Sequence, residues 1–370
     1  MTAARAREEI LRAAARLVQE GLIERTWGNI SARVSETQFL ITPSGLAYEN
    51  LRADRLVLVN IADGSYEGPV RPSSEKGIHA DAYRLRPEVG FVIHTHQTWA
   101  SIAGIEGRAL TGFIHPLLGK RAPCAGYGLP GTGQLRQAVA AEVEAWPDCR
   151  AFLMRRHGAL CLGRDSGDAF AAAQALEEVC GARVRAVTDG LLTAPTPPDY
   201  GFSERRGDAF LLTLNGERKS WHIEDPHLPP EAALHAAVYR AGGFQYAAHE
   251  ASPEVTAVSD EGPLLRPYLD DLAQIAGADL RCVPARARFV ELALAGRNAV
   301  LLRGAGALCA SGVESDLEAV RSLLRKGCMA QLYARDLPGC RPLGPADAQL
   351  QRLVYLRSYK KRGQGGTAGV

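Results

Sequence analysis

The sequence predicts an α/β protein that contains two related copies of one unit. Helical runs alternate with short apolar strands along most of the 370 residues, and this alternation is typical of α/β folds. A repeated segment supports the duplication. Glu75–Arg84 and Glu231–Arg240 share Glu, His, Ala, Tyr and Arg at the same spacing, and Phe152–Cys161 matches Val300–Cys309. The sequence therefore contains a second, shorter copy of its own core.

The elements follow from the spacing of apolar residues. In the first run, Ile10, Leu11, Ala14 and Leu17 recur at helical intervals, so we expect an amphipathic helix here rather than a signal peptide. Helices are expected at 5–20, 75–86, 97–103, 133–145, 166–188, 231–240, 263–275 and 314–334. Strands are expected at 28–34, 38–41, 56–60, 91–96, 152–156, 209–214 and 299–303.

The length and a hydrophobic content of 46% suit two domains of ordinary size. A proline-rich stretch beginning at Thr193 shows neither helical nor strand periodicity and is expected to link them. We therefore expect a first domain at 1–192, a linker at 193–204, a second domain at 205–345, and a C-terminal helix and tail at 346–370.

The composition excludes several classes of protein. With 43 basic and 41 acidic residues the formal charge is +2, which favours neither nucleic acid nor membrane surfaces as partners. No apolar run approaches the roughly 18 to 20 residues of a membrane span. Eight scattered cysteines include no C-x-x-C pair, which indicates reduced thiols in a cytoplasmic protein.

Two histidines end an apolar strand. Residues two apart on a strand point to the same face, so His94 and His96 can approach one metal ion. A second strand-like run delivers His157, and Glu75 lies upstream. Three imidazoles and a carboxylate suit a divalent transition metal, with zinc first and manganese or cobalt as alternatives. A packed, hydrogen-bonded histidine is the alternative for His157, and a helix-start residue for Glu75.

Five motifs occur in order along the first copy: Arg25-Thr-Trp-Gly-Asn-Ile-Ser31, Phe39-Leu-Ile-Thr-Pro-Ser-Gly45, Pro72-Ser-Ser-Glu75, His94-Thr-His96 and His157-Gly158. Together they resemble the class II aldolase/adducin family, and within it the fuculose-phosphate aldolases. The resemblance covers about residues 5 to 200. It implies a three-layer α/β/α fold with a mostly antiparallel central sheet, which we expect in both copies.

The resemblance also implies roles for individual residues. His94, His96 and His157 match the metal ligands, and Glu75 matches the catalytic base, which also ligates the resting metal. The positions that match phosphate contacts are Thr26, Asn29, Ser44, Gly45, Ser73 and Ser74. Without the family, each of these six would be a turn or an N-cap residue.

One position departs from the family. Fuculose-phosphate aldolases carry a catalytic tyrosine, given by a neighbouring subunit, after an Ile-His pair, whereas this chain has Pro116 there. His115 is a weaker donor candidate. Aligning 114–117 with 265–268 places Tyr268 one residue past the tyrosine position. We therefore expect a homodimer that forms a pseudo-tetramer, in which Tyr268 is the proton donor.

The second copy is expected to lack a metal site. Ala251 stands in place of His96 and Ala305 in place of His157, although His249 aligns with His94. We also expect it to lack counterparts of the Trp-Gly-Asn-Ile-Ser and Thr-Pro-Ser-Gly segments.

The activity implied by the resemblance is metal-dependent retro-aldol cleavage of a ketose 1-phosphate to dihydroxyacetone phosphate and an aldehyde. Three alternatives stay open: a pentulose-phosphate 4-epimerase, a decarboxylase of the same family, and a non-catalytic, adducin-like binding or scaffold protein.

Overall fold

The computed structural model describes residues 1–23, 27–193 and 196–363. The chain divides into two compact units, the first running to Ala186 and the second starting at Val187.

The first unit contains a seven-stranded sheet and a separate hairpin. Its helices are α1 (Ala3–Gln19), α2 (Lys76–Leu85), α3 (Thr98–Ala103), α4 (Gly133–Ala145) and α5 (Ser166–Thr188). Its strands are β1 (Asn29–Arg33), β2 (Gln38–Ile41), β3 (Val57–Asn60), β4 (Phe91–Thr95), β5 (Leu110–His115), β6 (Gly119–Ala122), β7 (Cys124–Ala125), β8 (Ala151–Met154) and β9 (Gly158–Gly163). The sheet order is β3-β2-β1-β4-β9-β8-β7, and β5 pairs with β6.

Helices cover both faces of this sheet. Alternate strand residues point to opposite faces, so Val92 packs in the cluster with Ile78 of α2 and Leu135 of α4. The opposite face contacts α1 at β1 and β2, and α3 at β8 and β9. Among the described strands of this sheet, only β7 and β8 pair in parallel. The expected three-layer fold with a mostly antiparallel sheet is confirmed.

The second unit repeats this arrangement. Its strands are β10 (Phe202–Arg206), β11 (Ala209–Leu214), β12 (Glu217–His222), β13 (Tyr246–Glu250), β14 (Leu264–Leu265), β15 (Leu280–Val283), β16 (Ala299–Leu302) and β17 (Ala307–Ser311). Its helices are α6 (Pro230–Ala241), α7 (Pro253–Glu261), α8 (Asp270–Ile275), α9 (Ala287–Ala293), α10 (Glu314–Ala334) and α11 (Pro345–Gly363). The sheet order is β12-β11-β10-β13-β17-β16-β15-β14.

The two sheet orders correspond strand by strand from β3 and β12 to β7 and β15. In both sheets a parallel pair lies at the same place, β7 with β8 and β15 with β16. Register agrees as well, since His94 lies opposite Leu160 and His249 opposite Leu308. The duplication therefore extends to the hydrogen-bonding register of the central strands.

Two expectations about the second copy are wrong. It does have a counterpart of β1, because β10 pairs with β13 as β1 pairs with β4. This strand begins inside the range 193–204 that we assigned to a linker. The expected helix 263–275 is present only in its second half, because the chain first forms β14 and α8 begins at Asp270. Pro267 falls in the middle of that range, where it lacks a donor and clashes with the preceding turn.

Among the described residues, no helix combines the length and apolar character needed to cross a membrane.

Candidate metal centre

Antiparallel pairing brings the three histidines together. β4 pairs with β9, and Thr95 lies opposite Ala159. The end of β4, with His96, therefore reaches the turn before β9 that carries His157. His94 shares a sheet face with Val92, which packs towards α2. Histidines that are far apart in the sequence thus lie in direct proximity.

The imidazoles form a compact group. The ring centroid of His94 lies 5.0 Å from those of both His96 and His157, and the last two are 4.4 Å apart. One nitrogen from each ring lies within 4.8 Å of the others. Two nitrogens on one tetrahedral zinc, each at about 2.1 Å, are about 3.4 Å apart. Small ring rotations therefore suffice to close the group onto one ion.

The tautomer of His94 follows from its backbone partner. Its Nδ1 lies 2.8 Å from the carbonyl oxygen of Ala159, which can only accept, so Nδ1–H is the donor. The buried Nε2 lies 3.2 Å from Glu75 Oε2 without a hydrogen bond of good geometry. A lone pair facing a carboxylate requires a proton or a metal cation between them, and metal-bound histidines generally have their other nitrogen held in this way.

Glu75 lies at the start of α2 against the histidines. Its side chain is 8% exposed, and Oε1 lies 3.0 Å from His157 Nε2. Burial alone would raise the pKa of this carboxyl, but attraction to His94 and His157 outweighs it and lowers the pKa well below its usual value. The carboxylate is therefore ionised, as required of a ligand or a base.

A chain of buried hydrogen bonds leads from Glu75 through Asn29, His79 and Ser31 to Tyr83. Asn29 Nδ2 donates to Glu75 Oε2 at 2.9 Å, so its Oδ1 is free to accept from His79 Nε2–H. The Nδ1 of His79 then accepts from the Ser31 hydroxyl at 2.6 Å, which accepts from Tyr83 at 2.7 Å. Every donor points towards the carboxylate.

This order requires a neutral His79, because one of its nitrogens must accept. Burial lowers the pKa of His79 to about 3, which keeps the ring neutral. The sequence analysis did not identify this hydrogen-bond chain. Its signal was the His and Tyr shared by the repeated segments, which are His79 and Tyr83 in the first copy.

Two glycines permit the close packing around the site. A Cβ at Gly158 would lie 2.1 Å from the Thr95 carbonyl oxygen. At Gly28, where φ is +96°, a Cβ would lie 2.4 Å from the carbonyl oxygen of His94. Side chains at either position would push the neighbouring strand away and displace the histidines.

The residues that match phosphate contacts divide into groups. Asn29 is buried and bonded to Glu75, and Ser73 Oγ accepts from the Glu75 N–H at 3.2 Å, so both also have structural roles. Ser44 and Gly45 line a separate pocket, and Ser74 is exposed. Thr26 lies outside the described residues.

The proton-donor candidates occupy different places. Pro116 and the neighbouring Ile114 are exposed on the β5–β6 hairpin, and His115 Nδ1 accepts from the Leu117 N–H at 3.1 Å. Tyr268 belongs to the second unit, where it is half-buried just before α8.

In the second unit the corresponding place holds no cluster of ligands among the described residues. Both nitrogens of His249 have backbone partners: Nδ1 accepts from Tyr200 N–H at 3.2 Å, and Nε2 donates to the carbonyl oxygen of Ala305 at 2.7 Å. In the part of the chain that the structure describes, the group at His94, His96 and His157 is the one set of ligand side chains close enough to share an ion.

Comparison with known proteins agrees with this geometry. The family model described as "Class II Aldolase and Adducin N-terminal domain" matches residues 8–184 and again residues 181–321. The chain belongs to the class II aldolase/adducin family. The second match also confirms the tandem duplication.

Individual members of the class II aldolase/adducin family resemble about half of the chain. The 5-methylthioribulose-1-phosphate/5-deoxyribulose-1-phosphate aldolase of Rhodospirillum rubrum is 32% identical over 176 residues, 47% of this chain and 77% of that protein. A solved L-fuculose 1-phosphate aldolase is 28% identical, covers 51% of this chain and 89% of its own, and has a TM-score of 0.46. The L-fuculose-1-phosphate aldolase of Thermus thermophilus is 26% identical, with 52% and 98% covered and a TM-score of 0.43.

Proposed function

We propose that the first unit is a metal-dependent aldolase. It cleaves a ketose 1-phosphate to dihydroxyacetone phosphate and an aldehyde. The observation that carries this proposal is the group of three imidazoles, with His94 and His157 buried and His96 half-buried, closed by an ionised Glu75. The named relative that acts on 5-methylthioribulose 1-phosphate or 5-deoxyribulose 1-phosphate supports the substrate class, because both are ketose 1-phosphates.

The reaction needs a stabilised negative charge and a mobile proton. Cleavage between C3 and C4 removes the proton of the C4 hydroxyl and leaves the bonding electrons on the other fragment as an enediolate. His94, His96 and His157 would hold a divalent ion, which would supply Lewis-acid stabilisation of that charge. Glu75 is the base that accepts this hydroxyl proton, and Asn29 fixes the direction in which its carboxylate points. The donor, Tyr268, supplies the proton that C3 of the enediolate takes up to give dihydroxyacetone phosphate.

The donor set favours zinc, with manganese and cobalt as alternatives. Three imidazole nitrogens and one carboxylate oxygen are ligands that zinc accepts in tetrahedral sites. The family's phosphate positions add Asn29, Ser44, Gly45, Ser73 and Ser74 as contacts for the substrate, and Thr26 joins them by resemblance.

Metal analysis of a His96→Ala variant tests the centre. We expect stoichiometric metal in the wild type, and we expect the variant to lose both the metal and the activity. Removing a residue that only orients a ligand lowers metal affinity roughly 10–100-fold, and removing a ligand itself should lower it more. His227→Ala, an exposed histidine of the second unit, is the control and keeps its metal. Undiminished metal in His96→Ala would refute the ligand assignment.

The activity is tested with ketose 1-phosphates and added zinc, manganese or cobalt, with release of dihydroxyacetone phosphate as the readout. An epimerase would change the configuration of the substrate without releasing a fragment, and a decarboxylase would release carbon dioxide. A metal-free protein with none of these activities would instead match a scaffold role.

Tyr268 as proton donor and the homodimer are part of the same proposal. Tyr268→Phe should lower the turnover rate while light scattering still reports a dimer, since only the hydroxyl is removed. Tyr246→Phe, also half-buried in the second unit, is the matched control. A monomeric wild type, or a Tyr268→Phe enzyme as fast as the wild type, would end this part of the proposal.

A further inference from the structure

The second unit contains a cavity between the β11–β12 hairpin and the start of α6. Its volume is about 340 Å³, which lies within the range of small-molecule sites. The residues described as its lining are apolar, Leu212, Leu214, Trp221, Pro229 and Ala232, or polar, Asn215, Glu217, Lys219 and Glu231. A wall that combines apolar side chains with a few polar groups is typical of a site for a small organic molecule.

The cavity lies where the first unit has its phosphate positions, but its chemistry differs. Strand register places residues 213–216 at the positions of residues 42–45. At the start of the helix, residues 229–230 are prolines, whereas the matching residues 73–74 are serines. Proline lacks the serine hydroxyl group and has no backbone N–H. The second unit has therefore lost hydrogen-bond donors that a phosphate group would need at this place.

Glu231 brings a carboxylate without a partner to the cavity wall. It aligns with Glu75, which contacts Asn29 and His157 in the first unit. Those two partners are replaced in the second unit by a glycine and an alanine. Within the described residues, Glu231 forms neither a hydrogen bond nor an ion pair. Its side chain is half-buried, so water screens its charge only in part, and a cation in the cavity would be attracted to it.

Trp221 adds an aromatic surface to the same wall. Its ring is half-buried and packs against the core cluster that contains Phe210 and Leu212. In the part of the chain that the structure describes, no arginine or lysine lies over this ring. The face of an aromatic ring attracts cations, and that of tryptophan does so most strongly. The cavity thus combines an aromatic surface with a carboxylate, and both favour a cationic ligand.

Lys219 does not reverse this preference. Its ammonium group lies 2.8 Å from the carboxylate of Glu217, and both side chains are exposed at the edge of the sheet. The two charges of this pair cancel, so the carboxylate of Glu231 remains as the net charge of the wall. The described residues of the wall do not bring three ligand side chains close together, so a metal ion is not the expected cation.

We propose that this cavity binds a small organic ammonium ion. The ammonium group donates charge-assisted hydrogen bonds to the carboxylate of Glu231. The hydrocarbon part packs against Trp221 and Leu214, which removes apolar surface from water. The site belongs to the second unit alone, so the proposal does not depend on the aldolase activity of the first unit.

Titration of the metal-loaded protein with butylammonium chloride, followed by calorimetry, tests the proposal. We expect saturable binding that Glu231→Gln weakens about tenfold or more, as loss of a charge-assisted hydrogen bond predicts. Trp221→Leu should weaken it about three- to tenfold, because the cation–π contact is lost. Higher salt should also weaken it. Glu224→Gln is the matched control, because Glu224 is an exposed glutamate of the same unit outside the cavity wall.

Two further comparisons keep the test decisive. Chemical denaturation checks that the variants fold, and Trp221→Phe, which keeps an aromatic ring, should retain most of the affinity. Butanol, the uncharged probe, should bind more weakly than butylammonium. The proposal is overturned if the wild type shows no saturable binding, if Glu231→Gln binds as tightly as the wild type, or if butanol binds equally well. Equal weakening in Glu224→Gln would also overturn it, because the effect would then come from the overall charge of the unit.

Discussion

The two units contain the same buried hydrogen-bond chain up to its last member. In the second unit Tyr239 and Ser203 lie 2.6 Å apart, and Ser203 lies 2.6 Å from His235 Nδ1. These residues correspond to Tyr83, Ser31 and His79 in the first unit. A tyrosine, a serine and a histidine thus connect the central strand to the neighbouring helix in both copies.

The two units differ in the last member of this hydrogen-bond chain. In the first unit His79 donates to Asn29, which carries the hydrogen bond on to Glu75. In the second, Gly201 aligns with Asn29 and has no side chain, and His235 Nε2 donates instead to the carbonyl oxygen of Tyr200 at 2.7 Å. The hydrogen-bond chain of the first unit orients a carboxylate, whereas that of the second unit ends on a backbone carbonyl group.

This comparison separates what the fold needs from what the site needs. The shared tyrosine, serine and histidine satisfy buried polar groups, which would be costly if left without partners. The features found only in the first unit, Asn29, His96 and His157, add ligands and orientation. A duplicated unit has kept the first set and lost the second.

The largest expected difference in turnover is between the Glu75→Gln and Glu231→Gln variants. Both glutamates precede or begin the equivalent helix, but only Glu75 contacts the histidines. Glu75→Gln should keep the fold and lose about 10²–10⁴ in kcat if it moves the proton. Glu231, half-buried in the second unit, should tolerate the change. Near-normal turnover in Glu75→Gln would assign the base to another group.

His79→Phe against His235→Phe sharpens the comparison. Each removes a buried hydrogen-bonding ring, so each should lower the free energy of unfolding by about 1–3 kcal/mol. Only His79→Phe should also lower kcat, by roughly 10–100-fold, because it releases Asn29 and so the orientation of Glu75. The measurements are chemical denaturation and steady-state kinetics. Equal kcat in the two variants would show that the hydrogen-bond chain is structural in both units.

The three candidate metal ligands could be predicted from the sequence, because the alternation of side chains along a strand depends only on neighbouring residues. The same-face rule brings His94 and His96 together, and the resemblance adds His157. The orientation of Glu75 could not be predicted in this way, since Asn29 and His79 are 50 residues apart and meet only through the packing of α2 on β1.

The second copy shows why some elements were missed. The segment at β10 shares only Ser203 and Arg205 with the positions of Ser31 and Arg33, too little to align without its hydrogen-bond partners.

The smallest expected effect concerns acid stability of the second unit. The pKa of His235 is lowered to about 4, mainly by burial. The hydrogen bond to the Tyr200 carbonyl oxygen opposes this shift, and the nearby His249 adds to it. In the unfolded chain the ring binds a proton near pH 6.5. Between pH 6.5 and about 4 the unfolded state therefore holds more protons, so stability falls as the pH falls. The loss reaches at most about 3 kcal/mol and levels off below pH 4.

Substitution of His235 tests this acid dependence. His235→Gln should be less stable than the wild type at pH 7.5 and show a flatter decline towards pH 4 in denaturant titrations, because the titrating ring is gone. His222→Gln, which removes an exposed histidine of the same unit, should follow the wild-type curve. A His235→Gln profile parallel to that of the wild type would mean that the folded unit does not lower the pKa of His235, and the acid dependence assigned to its burial would then be wrong.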